Sequence, residues 1–374
     1  MKRVVITSNT AWTIFNHRAG LIKTLQDAGY EVHTVAPESN FTDIQNPGTV
    51  FHPVKNLERK GKNPFSDLLL ISEYYKIYKA IQPEAVLGYT IKANIYSALA
   101  CRLARIPIVC TVNGLGTAFD NPKGLTYKVA KQLYKAAFRK AKAVVFQNTE
   151  DRAFFQEQRI IGSNLKGQII RSVNGSGVDL LKFTPAPVPA QPVFMLISRM
   201  LKNKGVPEFI EASRRRKREY PDAEFVLLGP ADNDNPMGVP LSELEALDRA
   251  AGAYYAGAAK DVRPYLERCS CMVLPTYYKE GVPKILIEAL AMGRPIITTD
   301  TPGCRETVIP GGNGYFVEPK SADSLYGAMT GFLALTRDEQ IGMGVRSRQL
   351  AEEKFDEKKV IATYMEILQH VINS

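Results

Sequence analysis

Two glutamates, Glu280 and Glu288, lie eight positions apart in a segment that reads as strand end, loop, short helix and strand. The apolar run 272–274 ends in a loop carrying Glu280 and Gly281. Pro283 then suits the first turn of a helix, because its missing N–H has no intrahelical role there. The helix holds Ile285, Leu286, Ile287, Ala289 and Leu290, ends near Gly293, and gives way to a strand over 295–298. Glu288 is the one carboxylate among these apolar residues and must find partners if buried. At about 1.5 Å per residue the two glutamates stand on the order of 12 Å apart along the helix direction, on roughly the same side. That is about the span from a sugar to the ribose of a nucleoside diphosphate. The free N–H groups of the first turn lie between them, where a diphosphate finds donors. A helix with one solvated and one capping glutamate has the same spacing.

The elements that must position these residues alternate along the chain. Strands are expected over 3–7, 31–36, 85–87, 106–111 and 143–146, with helices over about 16–28, 67–81, 93–104 and 125–140. Strands separated by helices of this length imply right-handed crossovers and a parallel sheet. Four prolines between Phe183 and Pro192 then favour an extended linker, which places a domain boundary there. Alternation resumes with a strand at 193–198, a helix at 207–218, a strand at 224–228, a helix at 242–251 and strands near Tyr254 and Met272. The reading is two doubly wound α/β domains with a cleft between them, residues 1–185 and 186–356. A last helix, over about 357–372 within the tail 357–374, is free to cross back onto the first.

A chain of 374 residues exceeds what one core usually supports, in keeping with two domains. Hydrophobic residues at 45% and charged residues at 23% are those of an ordinary globular protein. No apolar run approaches 18 residues, and Met1-Lys2-Arg3 leads into only a brief apolar stretch, so neither a membrane span nor a signal peptide is expected and the protein is placed in the cytoplasm. Five cysteines sit mostly in strand-like or helical runs. With no second cluster at ligand spacing, Cys269-Ser-Cys271 reads as core packing and not a zinc site. Residues 1–185 hold 25 Lys+Arg against 13 Asp+Glu, and the remainder 23 against 25, so the first half should meet an anionic partner.

Several blocks in succession resemble one family. "EGVPKILIEALAMGRPIITTD" (280–300) is close to the donor motif of retaining family 4 glycosyltransferases, with its E-x7-E pair. "VVFQNTEDRAFF" (144–155), "SGVDLLKFTP" (176–185), "ISRMLKNKG" (197–205), "GCRETV" (303–308) and "GGNGYFVEP" (311–319) are similar to further blocks of those enzymes. "YTIKANIYS" and "VNGLGTAF" in the first half are similar to the bacterial subgroup that extends lipid-linked oligosaccharides, N-acetylgalactosaminyltransferases among them. The resemblance implies the GT-B fold, two Rossmann-like domains facing each other across a cleft, with the donor on the second domain and the acceptor on the first. It implies transfer of a hexose or N-acetylhexosamine from a nucleotide sugar, most simply UDP-linked, to a polyprenyl-diphosphate-linked saccharide at the cytoplasmic face of the inner membrane. A nucleotide-sugar 2-epimerase and a non-catalytic nucleotide- or carbohydrate-binding protein share the architecture and stay open as alternatives.

On that resemblance Arg199 and Lys204 hold the donor's phosphates, a bidentate fork and a compact charge that together neutralise a departing diphosphate. Glu288 is assigned to the ribose hydroxyls and Glu280 to the sugar or its diphosphate neighbourhood, with Gly281, Val282 and Pro283 alongside; Glu280, Arg199 and Lys204 form the expected catalytic set. The separation of Glu280 and Glu288 exceeds that of the paired carboxylates of retaining hydrolases, and the retention that the resemblance implies is expected to run through a front-face reaction. Acceptor contacts are expected from Asn9, Thr10, His17, Arg18, Lys92, Asn113, Gly114 and Gly116. His17 and Arg18 are read as opening the first helix, where an acceptor phosphate would sit. Many family members carry a histidine at the position of Asn113 that touches the donor sugar; an amide can hydrogen-bond a hydroxyl but cannot act as a base. A glycine-rich turn is the plainer reading of that segment.

Asp232-Asn233-Asp234 mimics a metal-binding D-x-D, but Asp, Asn and Pro are ordinary loop residues, so no metal or other cofactor is expected. On the helix near 125–142, Lys128, Lys131, Lys135, Arg139 and Lys142 form a basic stripe, apart from Tyr127, Leu133, Tyr134 and Phe138. The stripe is either a solvated face or, with Arg59-Lys60-Gly61-Lys62, a contact for anionic lipid. Nucleic acid is not expected, since no recognition motif accompanies the charge.

Overall fold

Parallel strands buried on both faces must be nearly continuous apolar runs, and most strands of this chain are. In a computed structural model that describes residues 1–38, 47–57, 64–162 and 168–373 they form two all-parallel sheets. The chain divides into one unit of Met1–Ser176 with Glu357–Ser374 and another of Gly177–Asp356.

The first unit runs β1 (Lys2–Thr7), α1 (Ala11–His17), α2 (Ala19–Asp27), β2 (Tyr30–Ala36), β3 (Thr49–Pro53), α3 (Pro64–Ile81), β4 (Ala85–Tyr89), α4 (Ile91–Ala104), β5 (Ile108–Val112), α5 (Leu125–Phe138), β6 (Ala143–Phe146), α6 (Thr149–Glu157) and β7 (Ile169–Ser172). The sheet order is β3-β2-β1-β4-β5-β6-β7. Val4 of β1 lies opposite Val32 on one side and Ala85 on the other. Because side chains alternate across a strand, Val4 and Ile6 pack with α1, α2 and the last helix, Glu357–Asn373, while Val5 packs with α3, α4 and α5.

The second unit runs β8 (Val193–Ile197), α7 (Val206–Glu219), β9 (Glu224–Leu228), α8 (Leu241–Glu245), β10 (Ala253–Tyr255), α9 (Arg263–Arg268), β11 (Cys271–Leu274), α10 (Lys284–Ala291), β12 (Ile296–Thr299), β13 (Gly314–Val317), α11 (Ala322–Leu333) and α12 (Arg337–Lys354); α13 is the last helix, Glu357–Asn373. The order is β10-β9-β8-β11-β12-β13. Phe194 and Leu196 face α7 and α11, and Val193, Met195 and Ile197 face α9 and α10. All five cysteines are buried and unpaired.

Three expectations are corrected. The division falls at Ser176/Gly177 and not within the proline-rich stretch, because guanidinium groups tie that stretch to the second unit. Arg294 donates to Ala186 O and Pro187 O, Arg337 to Val188 O and Pro189 O, and Arg348 to Leu180 O and Phe183 O. The first predicted helix is two helices, since the backbone breaks at Arg18 (φ −129°, ψ 11°). The helix expected over 242–251 stops at Glu245, and Asp248 caps a turn by accepting from Ala250 N at 2.8 Å. Arg59, Lys60, Gly61 and Lys62 lie outside the described residues.

Candidate active site

In open α/β sheets, ligands bind beyond the carboxyl ends of the strands. Beyond β8 the chain passes Arg199 and makes a tight turn, Lys202–Lys204, before Gly205 starts α7. Gly205 has φ +81°, and a Cβ there would lie 2.4 Å from Pro275 O, so the turn seats directly on the exit of β11. That contact brings Lys204 to Glu280. The two form an ion pair between Nζ and Oε1, with side chains 11% and 17% exposed. Thr276 Oγ1 lies 3.2 Å from the same carboxylate oxygen and 3.1 Å from Asn203 O, and Lys204 Nζ sits 5.3 Å from the Tyr278 ring centroid. Nζ carries three N–H groups, so the pair leaves donors for another anion.

Arg199 points to the exit of β9, where its Nη1 lies 3.4 Å from Asp232 Oδ2. Asp232 also accepts from Asn235 Nδ2 at 3.0 Å, and Asn233 Oδ1 accepts from Leu241 N at 3.1 Å. The Asp-Asn-Asp segment is thus a hydrogen-bonded loop that partners an arginine. Among the described residues no three His, Cys, Asp or Glu side chains gather as a metal site.

Between Glu280 and α10 the backbone of Gly281 packs on Gly303 (φ +81°), where a Cβ would fall 1.5 Å from Gly281 O. The GCRE segment therefore braces the loop that starts α10. Pro283 caps that helix without a side-chain hydrogen bond, and its first turn carries no acidic residue. The end is open and electropositive. One turn on, Glu288 is largely enclosed, its side chain 14% exposed, with Lys284 Nζ 4.0 Å away. Burial pushes its carboxyl up to about 7, against the opposing pull of Lys284 and Lys182. Lys284 Nζ also donates to Gly177 O at 2.6 Å.

In the first unit, the loop after β1 gives Thr10 as N-cap of α1, accepting from Thr13 N at 3.1 Å, so its hydroxyl serves the helix. His17 ends α1 and Arg18 is the joint before α2; neither opens the first helix, because the Thr10 cap starts it earlier. Arg18 is 3% exposed, its guanidinium 4.2 Å from the Tyr89 ring centroid, with Nε and Nη2 lacking hydrogen-bond partners among the described residues. It lines a small cavity with His17, Ser176, Glu357 and Tyr364. Lys92 opens α4 and lies 3.4 Å from Asp67. Asn113 follows β5, and Gly114 (φ +108°) and Gly116 (φ +58°) supply the turn beyond it. Asn113 Oδ1 accepts from Thr90 N at 3.1 Å, and Thr90 Oγ1 accepts from Asn9 N at 3.2 Å, which ties together the loops after β1, β4 and β5. Sequence reasoning missed Thr90 and Thr276. The first lies in the YTIKANIYS block directly before α4, where a Thr reads as an ordinary helix cap, and the second adjoins the Pro275 that follows β11.

On α5, Tyr127, Tyr134 and Phe138 are buried and Lys128 and Arg139 exposed, as are Leu125 and Val129. Lys131 Nζ donates to Gln158 Oε1 at 3.0 Å. No helix among the described residues is long and apolar enough to cross a membrane.

Residues 3–148 match the family described as Glycosyl transferase 4-like, and residues 191–334 match Glycosyl transferases group 1. Over the full length of both chains, the protein is 28% identical to the N,N'-diacetylbacillosaminyl-diphospho-undecaprenol alpha-1,3-N-acetylgalactosaminyltransferase of Campylobacter jejuni. It is 25% identical, over 70% of each chain, to the UDP-Gal:alpha-D-GlcNAc-diphosphoundecaprenol alpha-1,3-galactosyltransferase of Escherichia coli. Among solved structures, sucrose-phosphate synthase of Thermosynechococcus elongatus superposes with a TM-score of 0.80 at 17% identity, covering all of both chains. Anabaena Alr3699/HepE in complex with UDP-glucose gives 0.79 at 16% identity, over 99% of this chain and 100% of that one.

Proposed function

We propose that this chain, whose two halves match the Glycosyl transferase 4-like and Glycosyl transferases group 1 families on a GT-B fold, is a glycosyltransferase that moves a hexose or N-acetylhexosamine from a UDP-sugar to a polyprenyl-diphosphate-linked saccharide with retention of configuration. The observation that carries the reading is Lys204, seated by Glu280 and Thr276 at the carboxyl ends of β8 and β11 beside the open N-terminus of α10. A cation and unused helix amides at a strand exit are what a leaving diphosphate needs. The donor is assigned to the second unit, where Lys204 and the open end of α10 lie, and the acceptor to the first; the names of the Campylobacter and Escherichia relatives favour the substrate class.

In the proposed reaction Arg199 and Lys204 neutralise the diphosphate, the backbone of Gly281, Val282 and Pro283 lies along it, and ionised Glu288 accepts from the ribose hydroxyls. Glu280 holds Lys204 in place and faces the sugar. The acceptor hydroxyl oxygen bonds to the anomeric carbon on the face from which the phosphate departs, and its proton passes to the leaving phosphate oxygen. The protein then needs no general base, and its contribution is positioning and charge stabilisation. With two cations supplying the charge, activity is expected to persist in EDTA. Asn9, His17, Arg18, Lys92, Asn113, Gly114 and Gly116 are assigned to the acceptor side, Thr10 through its loop backbone.

Association with the anionic cytoplasmic face of the inner membrane belongs to the same proposal. The exposed Lys128 and Arg139 stand with exposed Leu125 and Val129 on α5, and Leu68 and Leu69 are exposed on α3. Each basic residue near such a surface contributes about 1 kcal/mol.

The test is release of UDP, GDP or ADP from a panel of nucleotide sugars, with and without an extract of lipid-linked glycans. One donor whose turnover rises with the lipid fraction supports the reading. A free epimer formed without acceptor would contradict it.

A further inference from the structure

Thr90 stands at φ 70°, ψ 158°, a region open in practice only to glycine, and a β-branched residue there is a true backbone outlier. Three hydrogen bonds hold it. Its N–H donates to Asn113 Oδ1 at 3.1 Å, its Oγ1 accepts from Asn9 N at 3.2 Å, and its carbonyl accepts from Asn94 N at 2.9 Å in the first turn of α4. The carboxamide of Asn113 has one acceptor end and one donor end, alike in shape. A backbone N–H can meet only the acceptor, so Thr90 fixes which way the amide faces. Nδ2 is left without a hydrogen-bond partner among the described residues, on a half-buried side chain at the carboxyl end of β5.

We infer that Asn113 meets its sugar ligand solely as a hydrogen-bond donor, to an oxygen lone pair such as that of a hydroxyl or an acetamido carbonyl, and that Thr90 is the positioning residue that imposes this polarity. The inference rests on the glycosyltransferase reading above. The strained backbone at Thr90 serves the site: with Thr90 in an ordinary extended conformation its N–H would turn away from Asn113, and the amide could rotate to offer either end. A ligand group able only to donate would then be admitted, and in the native arrangement it is refused. A rigid, one-sided contact of this kind discriminates between sugars more strongly than an apolar wall does.

The test uses the full chain and steady-state turnover with the donor and lipid-linked acceptor found active for the unaltered protein, whose failure to turn over would count against the transferase reading and not against Asn113. Asn113→Asp keeps an oxygen for the Thr90 N–H and the same size, but has no donor. It should melt within a few degrees of the unaltered protein while the KM for one of the two substrates rises about tenfold or more. Thr90→Ser, which retains Oγ1 and the N–H, should leave that KM unchanged. Thr90→Ala, which loses the tether to Asn9 and, unlike glycine, cannot hold φ 70° without strain, should raise the same KM and add nothing further in the Asn113→Asp background. An unchanged KM for both substrates in Asn113→Asp, or effects of Thr90→Ala and Asn113→Asp that multiply independently, would overturn the inference.

Discussion

Lys204, on the turn after β8, and Glu280, on the loop before α10, form an ion pair whose carboxylate oxygen is also approached by Thr276 at 3.2 Å. The cation proposed to meet the leaving diphosphate is thereby oriented before any ligand arrives, and preorganised charge is what lowers a barrier most.

Replacing Lys204 by Met should act on both links. It strands Glu280 in a mostly enclosed position, and loss of one partner of such a pair costs about 3 kcal/mol, visible as a lower melting temperature. It also removes transition-state charge stabilisation, for an expected fall of about 10²–10³ in kcat. Glu280→Gln should retain more of both, since an amide oxygen still accepts from Lys204. Thermal denaturation and single-turnover kinetics separate the two effects.

Glu288 ties stability to pH in the opposite sense from most carboxylates. Burial raises its carboxyl to about 7 from the ordinary glutamate value of about 4.5. The folded chain therefore holds a proton that the unfolded chain gives up, and stability falls as pH rises from about 4.5 to about 7, by roughly 3 kcal/mol in all. Nucleotide binding should run the other way, because the ionised form accepts from the ribose hydroxyls. Affinity for UDP should strengthen as pH rises through 7. Glu288→Gln should flatten both trends relative to the unaltered protein, in denaturant titrations and in calorimetric titrations with UDP between pH 5 and 8.

Much of this frame was legible in the chain. Runs such as Val193–Ile197 and Ala143–Phe146 are continuous because both faces of the sheet are covered, and the periodicity between them marked the helices. Other features left weaker marks. β3 and β7 lie at sheet edges and are only partly buried, so their patterns resemble loops. The break at Arg18 is hidden because Ile14, Phe15, Leu21, Ile22 and Leu25 keep one apolar rhythm across both helices. α12 could have been found, since Thr336 and Glu339 form a capping box. The glutamate pair and the two cations were visible through spacing and family resemblance. The wiring was not: the Lys204–Glu280 bond depends on Gly205 seating against Pro275, a contact between segments some seventy residues apart in sequence. Thr90 reads in the sequence only as a cap for α4; its backbone angle is hidden because partners from two other loops, Asn9 and Asn113, hold it.

Arg18 separates binding from stability. Its guanidinium is buried on Tyr89 with Nε and Nη2 lacking hydrogen-bond partners among the described residues. Arg18→Met loses the cation–π contact, about 1–2 kcal/mol, and relieves an incompletely satisfied buried charge, so the melting temperature should change little. If Arg18 serves the acceptor's phosphate, the acceptor KM should rise about tenfold while the donor KM stays in place. Steady-state kinetics with each substrate varied in turn decides this.

The membrane surface predicts a salt- and lipid-dependent association. Vesicles containing anionic lipid should float the protein, and neutral vesicles should float it less. Lys128→Glu with Arg139→Glu should abolish the difference, and Leu68→Ser with Leu69→Ser should weaken binding at low and high salt alike. Flotation independent of anionic lipid would remove this part of the account.

The most direct measurement follows a labelled sugar. Incubated as the UDP-sugar with the protein and polyprenyl-diphosphate-linked glycan, the label should move into the organic-extractable fraction in step with UDP release, and the Lys204→Met protein should fail to move it. Label that stays in the aqueous phase as free sugar or epimerised nucleotide sugar while UDP-sugar is consumed would contradict transfer to a lipid-linked acceptor.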